Sequence, residues 1–565
     1  MSLKLSISAA TVATLLVTPA LAGRGSEGTV NILYWQAAST MNPYLVAAAK
    51  DLSPASLVLE PLAKYDENGK LIPWLAQEIP TIENGGVSAD FKSITWKLKP
   101  GLKWSDGTPV TAKDVVFTAN YCMNPKAGCA ALNQFDGVDK VEAPDDLTAR
   151  VEFNSPRPVP YGPFVSALSP IIQAKQFADC QGEKVPTCTE ANFRPIGTGP
   201  YIIASFKPND SIQFKLNPHY RDSDKPHFAE VNWKGGGDAA AAARAVLQTG
   251  EYDYAWNMAV APDVLKKMEA EGKGRLLFSW GPVVESLWLN LTDPSSDLPV
   301  EERSTLKRPN PILGDIRVRK ALSMAMDRAV LNKIIAERAG RPTCDVIATP
   351  KKFSADNTGC LKPDMAGANQ LLDEAGWKPG LSGIRQKGDK KLKLIFTTST
   401  SPIRQQSQEI LKQWWREIGV DVELRNLSGS VFFGSDPSSP DTYVKSYHDI
   451  AEFTFNSTID PASVMARYTC EKAPKPGAWQ GSNVPRYCDK RYDELVDELG
   501  HTGNYEKRGE IVKQLNNMLT VDSYTILPIA WTANVDATSN TLLGPIMNPW
   551  ENSSVWNIQD WHRKK

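Results

Sequence analysis

Between Leu392 and Leu424 the chain carries the pattern that most narrows its fold. Leu392 to Phe396 read as a strand. A helix then presents Ile410, Leu411, Trp414, Trp415 and Ile418, and Gly419 ends it. Val420, Val422 and Leu424 alternate with Asp421 and Glu423 in a second strand. Two strands joined through a helix run parallel, because only a crossover brings the chain back in the same direction. Parallel sheets bury both faces under helices, so this part of the chain is α/β. Upstream, Val318, Ala321, Leu322 and Ala325 fall on one helical face. A second helix is expected from Asp327 to Gly340, with Pro342 beyond it, and a third runs to Gly376.

The first half uses shorter elements. Thr29 to Trp35 form an apolar run of strand length, as in a strand covered on both faces. Ile94, Trp96 and Leu98 alternate with polar residues in a half-buried strand, and Thr111 to Asp114 form a capping box ahead of Val115, Val116, Phe117 and Ala119. Tyr201 to Phe206 and Ile212 to Leu216 flank a Lys207–Asp210 turn and read as a hairpin. Gly235-Gly236-Gly237 open an Ala-rich helix from Asp238 to about Gln248, and a strand from Tyr252 to Trp256 follows Gly250. At 565 residues the chain exceeds what one hydrophobic core supports, so two or three domains are expected.

Residues 1–22 read as an export leader: one charge, Lys4, an apolar run from Ala9 to Val17, then Pro19 and Ala20-Leu21-Ala22, with cleavage expected after Ala22. The run is too short for a ~30 Å hydrocarbon core. An exported chain fits eight cysteines at local spacings: Cys122 and Cys129, Cys180 and Cys188, Cys344 and Cys360, Cys470 and Cys488. Proximity suggests sequential pairing, one of about 105 connectivities. No Cys-x-x-Cys spacing and no neighbouring His point to metal, so no metal or cofactor is expected. A net charge of -1 implies no affinity for nucleic acid.

Seven blocks in order resemble the extracellular solute-binding proteins of family 5, the dipeptide, oligopeptide and nickel receptors of ABC importers. They begin with Leu98-Lys99-Pro100-Gly101-Leu102-Lys103-Trp104-Ser105-Asp106-Gly107-Thr108-Pro109, running on to Phe117, and Gly197-Thr198-Gly199-Pro200-Tyr201. Asn217-Pro218-His219-Tyr220, Gly250-Glu251-Tyr252-Asp253 and Asp315 to Leu322 come next, then Leu371 to Trp377 and Ile526-Leu527-Pro528-Ile529. The resemblance spans residues 28 to 535. It implies a periplasmic-binding-protein fold of two α/β lobes joined by a hinge. Lobe I would comprise 23–60, 195–285 and 525–565, with an extra α/β subdomain at 61–194, and lobe II 286–524. Hinge crossings are expected near Pro282 to Ser286 and near Asp522 to Leu527. It implies a periplasmic monomer that captures a small peptide-like or other polar organic solute and delivers it to a membrane permease.

No catalytic chemistry stands out. There is no G-x-S-x-G elbow and no phosphate-binding G-x-x-x-x-G-K-[ST] loop, and the five His form no ligand pattern. The chain therefore reads as a binding protein and not an enzyme; the alternative is a secreted glycosidase-like hydrolase with a carboxylate pair. A cleft needs aromatic walls and a few fixed polar groups. Sixteen Trp occur, and several fall where strands end. Trp35 and Gln36, Trp256 and Asn257, Trp288 and Asn290, and Trp531 are the candidates, while Trp96, Trp104 and Trp377 are assigned to core. Phe453, Phe455, Asn456 and Ser457 complete the set. Their segment resembles the stretch where peptide-binding members place an Asp, just before an Asp-Pro pair, to hold the peptide α-amine. Here Asn456, Ser457 and Thr458 are neutral, and Asp460 reads as a turn or cap residue.

Overall fold

The computed structural model describes residues 23–564 except 47, 128, 428, 434–438 and 480; the expected leader lies outside them. Two large sheets organise the chain. The first has seven strands in the order Gly274–Ser279, Asn534–Ser539, Tyr254–Trp256, Thr29–Tyr34, Glu230–Gly235, Ser211–Leu216 and Tyr201–Lys207. Thr29–Tyr34 pairs in parallel with both of its neighbours, and the hairpin 201–216 extends one edge. Val30, Ile32 and Tyr34 are buried, whereas Thr29, Asn31 and Leu33 are only partly covered. The strand is thus less enclosed than its apolar run suggests, because Asn31 lies on its second face. The expected glycine turn is present: Gly236 and Gly237 have φ of 94° and 104°, a region that favours glycine, and Asp238 caps the helix Ala239–Leu247 through Ala241 N–H.

The second sheet has six strands, ordered Gly340–Pro342, Ile526–Thr532, Val283–Leu289, Ile450–Asn456, Lys393–Ser399 and Asp421–Leu427. The crossover is as expected: Lys393–Ser399 and Asp421–Leu427 are parallel, joined by the helix Pro402–Glu417, whose Leu411 and Trp415 are buried. Helices cover both faces. Leu287, Leu289, Leu394, Phe396 and Trp415 pack on one side, and Val284, Trp288, Phe453, Phe455 and Ile526 on the other.

Two expectations are corrected. The second helix spans only Arg328–Ile335; a 3-10 turn follows, Glu337 takes φ 47°, and Gly340–Pro342 join the sheet edge beside Ala530–Thr532. Asn332 holds this break by donating to the carbonyls of Glu337 and Gly340. The chain also returns to the first sheet at Ala533, not near Asp522 to Leu527, because Ile526–Thr532 pairs with Val283–Leu289 in the second sheet.

Residues 59–191 surround their own core, in which Trp96 and Trp104 are buried against an antiparallel three-stranded sheet and the capped helix Ala112–Met123. Trp377 is buried beneath the second sheet. All four sequential disulfides are present: Cys122–Cys129, Cys180–Cys188, Cys344–Cys360 and Cys470–Cys488. Among the described residues no helix is long and apolar enough to cross a membrane.

Candidate functional site

The carboxyl ends of the central strands carry the candidate residues, where open α/β sheets place ligands. On the first sheet, Trp256 lies stacked 4.9 Å from Tyr34, at 10°, and 6.1 Å from Trp35. Trp35 Nε1 donates to the Asn257 carbonyl at 2.8 Å. Asn257, at φ 56°, donates its backbone N–H to buried Asp536 at 2.8 Å. Burial pushes Asp536 up to about 6, against the bonds from Tyr254 and Asn257. These contacts fix a rigid indole platform, and Gln36 is exposed beside it.

On the second sheet, Trp288 stacks on Phe453 at 4.3 Å and 8°, and its Nε1 donates to the Phe453 carbonyl at 3.0 Å. Tyr468 lies 5.9 Å from the same indole. Trp288, Phe453 and Tyr468 line a cavity of about 360 Å³ together with Thr454, Asn456 and Arg467. Ser457 lies next to it, its N–H bonded to the Pro282 carbonyl at 2.9 Å.

Three expected residues sit elsewhere. Asn290 is 2% exposed. Its amide donates to the carbonyls of Ser446 and His448, and its oxygen accepts from Thr292. It ties loops together and has no hydrogen-bonding capacity left for a solute. Phe455, 1% exposed, belongs to the core under Trp288. Trp531 belongs to the crossover: its Nε1 donates to the Gly281 carbonyl at 2.7 Å, Trp280 lies edge-on at 5.0 Å, and Arg341 covers both rings. Asp460 is a turn residue, as expected, capping Ala462 N–H and gripped by buried Arg508 at 2.6 and 3.0 Å.

The larger cavity, about 600 Å³, is walled by both sheets. The first supplies Asn257, Val260 and Phe278; the second supplies Glu285, Ser401 and Arg404. Glu285 accepts two bonds from Arg404, at 2.8 and 3.1 Å, and this ion pair raises the Arg404 guanidinium against the opposing effect of burial. Arg338 reaches across to Glu269 at 2.5 Å and lies 5.3 Å from the Phe278 ring. Sequence reasoning missed these charged residues. The one hint was an acid inside the apolar run Val283-Val284-Glu285-Ser286-Leu287.

The model of bacterial extracellular solute-binding proteins, family 5, matches residues 70–472. The chain belongs to this family. Family 5 members are substrate-binding transport proteins, periplasmic or extracellular, and not enzymes. Among curated relatives, protein XP55 of Streptomyces lividans is 27% identical over 491 residues, 86% of this chain and 81% of the relative. The oligopeptide-binding protein OppA of Bacillus subtilis is 22% identical over 507 residues, covering 86% and 84%. Among solved structures, the substrate-binding protein CtaP of Listeria monocytogenes superposes with a TM-score of 0.76 at 23% identity, covering 95% of this chain and all of that one. That likeness establishes the periplasmic-binding-protein fold for this family 5 chain.

Proposed function

We propose that the chain is the exported substrate-binding component of an ABC importer, holding a small peptide-like or other polar organic solute between two lobes and releasing it unchanged to a membrane permease. The observation that carries this reading is the 600 Å³ cavity, whose walls come from the strand ends of both sheets. Its size suits a small organic ligand. Asn257 lines this cavity, Trp35, Gln36 and Trp256 would extend that wall, and Trp288, Phe453, Asn456 and Ser457 would offer a second contact area on the other lobe, around the 360 Å³ cavity. The lobes correspond to the two sheets, with the subdomain of 61–194 attached to the first and crossings at 280–282 and Ala533. Cleavage after Ala22 would free the mature monomer, which has no nucleic-acid partner. The hydrolase alternative needs a carboxylate pair, but among the described residues lining the cavity Glu285 is the only carboxylate, and Glu452 near it is wholly buried. A thermal-shift screen against peptides, oligosaccharides and small aromatic amides tests the reading. A solute at 100 times its dissociation constant adds about 2.7 kcal/mol; no stabilisation by any class, or chemical turnover of a hit, contradicts it.

A further inference from the structure

The larger cavity has a charged floor that a neutral solute would not use. Glu285 and Arg404 line it as a two-bond ion pair. Behind them lies Glu452, fully buried on the adjacent strand, where Leu287 pairs with Glu452 and Glu285 with Thr454. Among the described residues the Ser407 hydroxyl is the one polar group close enough to hydrogen-bond the Glu452 carboxylate, whose oxygens have no other partner. The charged groups facing Glu452 are Glu285, from the strand beside it, and Arg404, from the helix above it. The third packed element, Lys393–Ser399, contributes only the Thr398 hydroxyl, which donates to the Glu452 backbone carbonyl.

Two carboxylates around one guanidinium leave one negative charge too many for a buried place, and such a group takes up a proton instead. Glu285 holds the guanidinium, so Glu452 carries the proton. Burial, with the Glu285 charge next to it, holds Glu452 well above the usual carboxylate range.

We propose that the solute bears an ammonium group that docks on Glu285, and that Arg404 then shifts hydrogen bonds to Glu452, which releases its proton. The inference rests on the receptor reading above. The cluster is neutral before binding, with Glu285 and Arg404 charged and Glu452 protonated. It is neutral again afterwards, because the incoming ammonium replaces the departing proton. One O–H bond breaks, at Glu452, and its proton passes to solvent. This arrangement supplies the cation site that Asn456, Ser457 and Thr458 do not.

The test is calorimetric titration with short peptides and their N-acetylated counterparts, together with uncharged oligosaccharides and aromatic amides. Each is run in two buffers of different ionisation enthalpy, at pH 6 and pH 7. The free amine should bind at least about ten-fold tighter than its acetylated partner, release about one proton, and gain about ten-fold in affinity from pH 6 to 7. Glu285→Gln should lose about ten-fold or more. Glu452→Gln should still bind the amine but release no proton and lose the pH dependence. Equal binding of acetylated and free peptides, or amine binding without proton release, overturns the inference. Binding of oligosaccharides or amides alone also overturns it and leaves the receptor reading standing. Binding of nothing overturns both. Where Glu285→Gln does not fold, the wild-type pH profile decides.

Discussion

Glu452→Gln should make the protein more stable at neutral pH, by an amount set by linkage. Glu452 sits wholly buried in the second sheet, and burial raises it above its ordinary 4.5. Above that pH the unfolded chain has lost the proton while the folded chain keeps it. The folded state then binds more protons, so stability falls as pH rises, at about 1.4 kcal/mol per pH unit for one group. Glutamine has nearly the same shape and no charge to bury, so the variant escapes this loss. Between pH 5 and pH 7 the stability difference between variant and wild type should grow in the variant's favour, with one proton over two pH units setting a ceiling of about 2.7 kcal/mol. Asp449 and Asp536, each pushed up to about 6 by burial, are present in both proteins, so the comparison isolates Glu452. Urea unfolding followed by tryptophan fluorescence at pH 5, 6 and 7 reads the effect directly. Parallel stability profiles for the two proteins would refute the reasoning, since they would mean that Glu452 is ionised in the folded state.

Trp256→Ala should reduce affinity for a solute found by thermal shift at least about ten-fold, yet cost less than the ~3–5 kcal/mol of a core aromatic; a full core-sized loss would assign Trp256 to packing. Arg508→Met should cost about 3–5 kcal/mol in urea unfolding, because it strands Asp460, whose only ion-pair partner among the described residues is Arg508. An added Cβ at Gly503 would lie 2.6 Å from the Phe91 ring, which is partly buried and packs against the 59–191 core, so Gly503→Val should wedge the two bodies apart. A larger radius of gyration by X-ray scattering and weaker solute binding are expected, and unchanged values would deny that contact a part in closure. Arg338→Ala should change stability by less than about 1 kcal/mol, since both partners of its pair with Glu269 are partly exposed, while solute dissociation, followed by stopped-flow fluorescence, quickens.

The elements that were legible in the sequence are those specified locally. The capping box at Thr111, the glycine turn before Asp238 and the hairpin after Tyr201 depend on residues a few positions apart, and all three stand in the structure. The helix expected up to Gly340 was misread because its end depends on Asn332 reaching forward and on a strand pairing with Ala530–Thr532, nearly two hundred residues away. The return crossing was displaced for a similar reason: the apolar run 526–532 carries no sign of which sheet it joins. Trp35, Trp256, Trp288 and Phe453 could be named as candidates because aromatic residues on or just after a strand are visible in a sequence. Asn290 and Phe455 show the limit of that signal, since residue type and position along a strand do not say whether distant loops will engulf a side chain. The Glu285–Arg404–Glu452 cluster was illegible, drawn from three elements, with Arg404 119 positions beyond Glu285.

Capture without chemistry is most directly tested by native mass spectrometry of the purified protein with a solute found by thermal shift. The account predicts a complex of one protein and one solute, and, after denaturation, recovery of the solute at its original mass. A solute returned with altered mass, or a protein that never retains one, would contradict it.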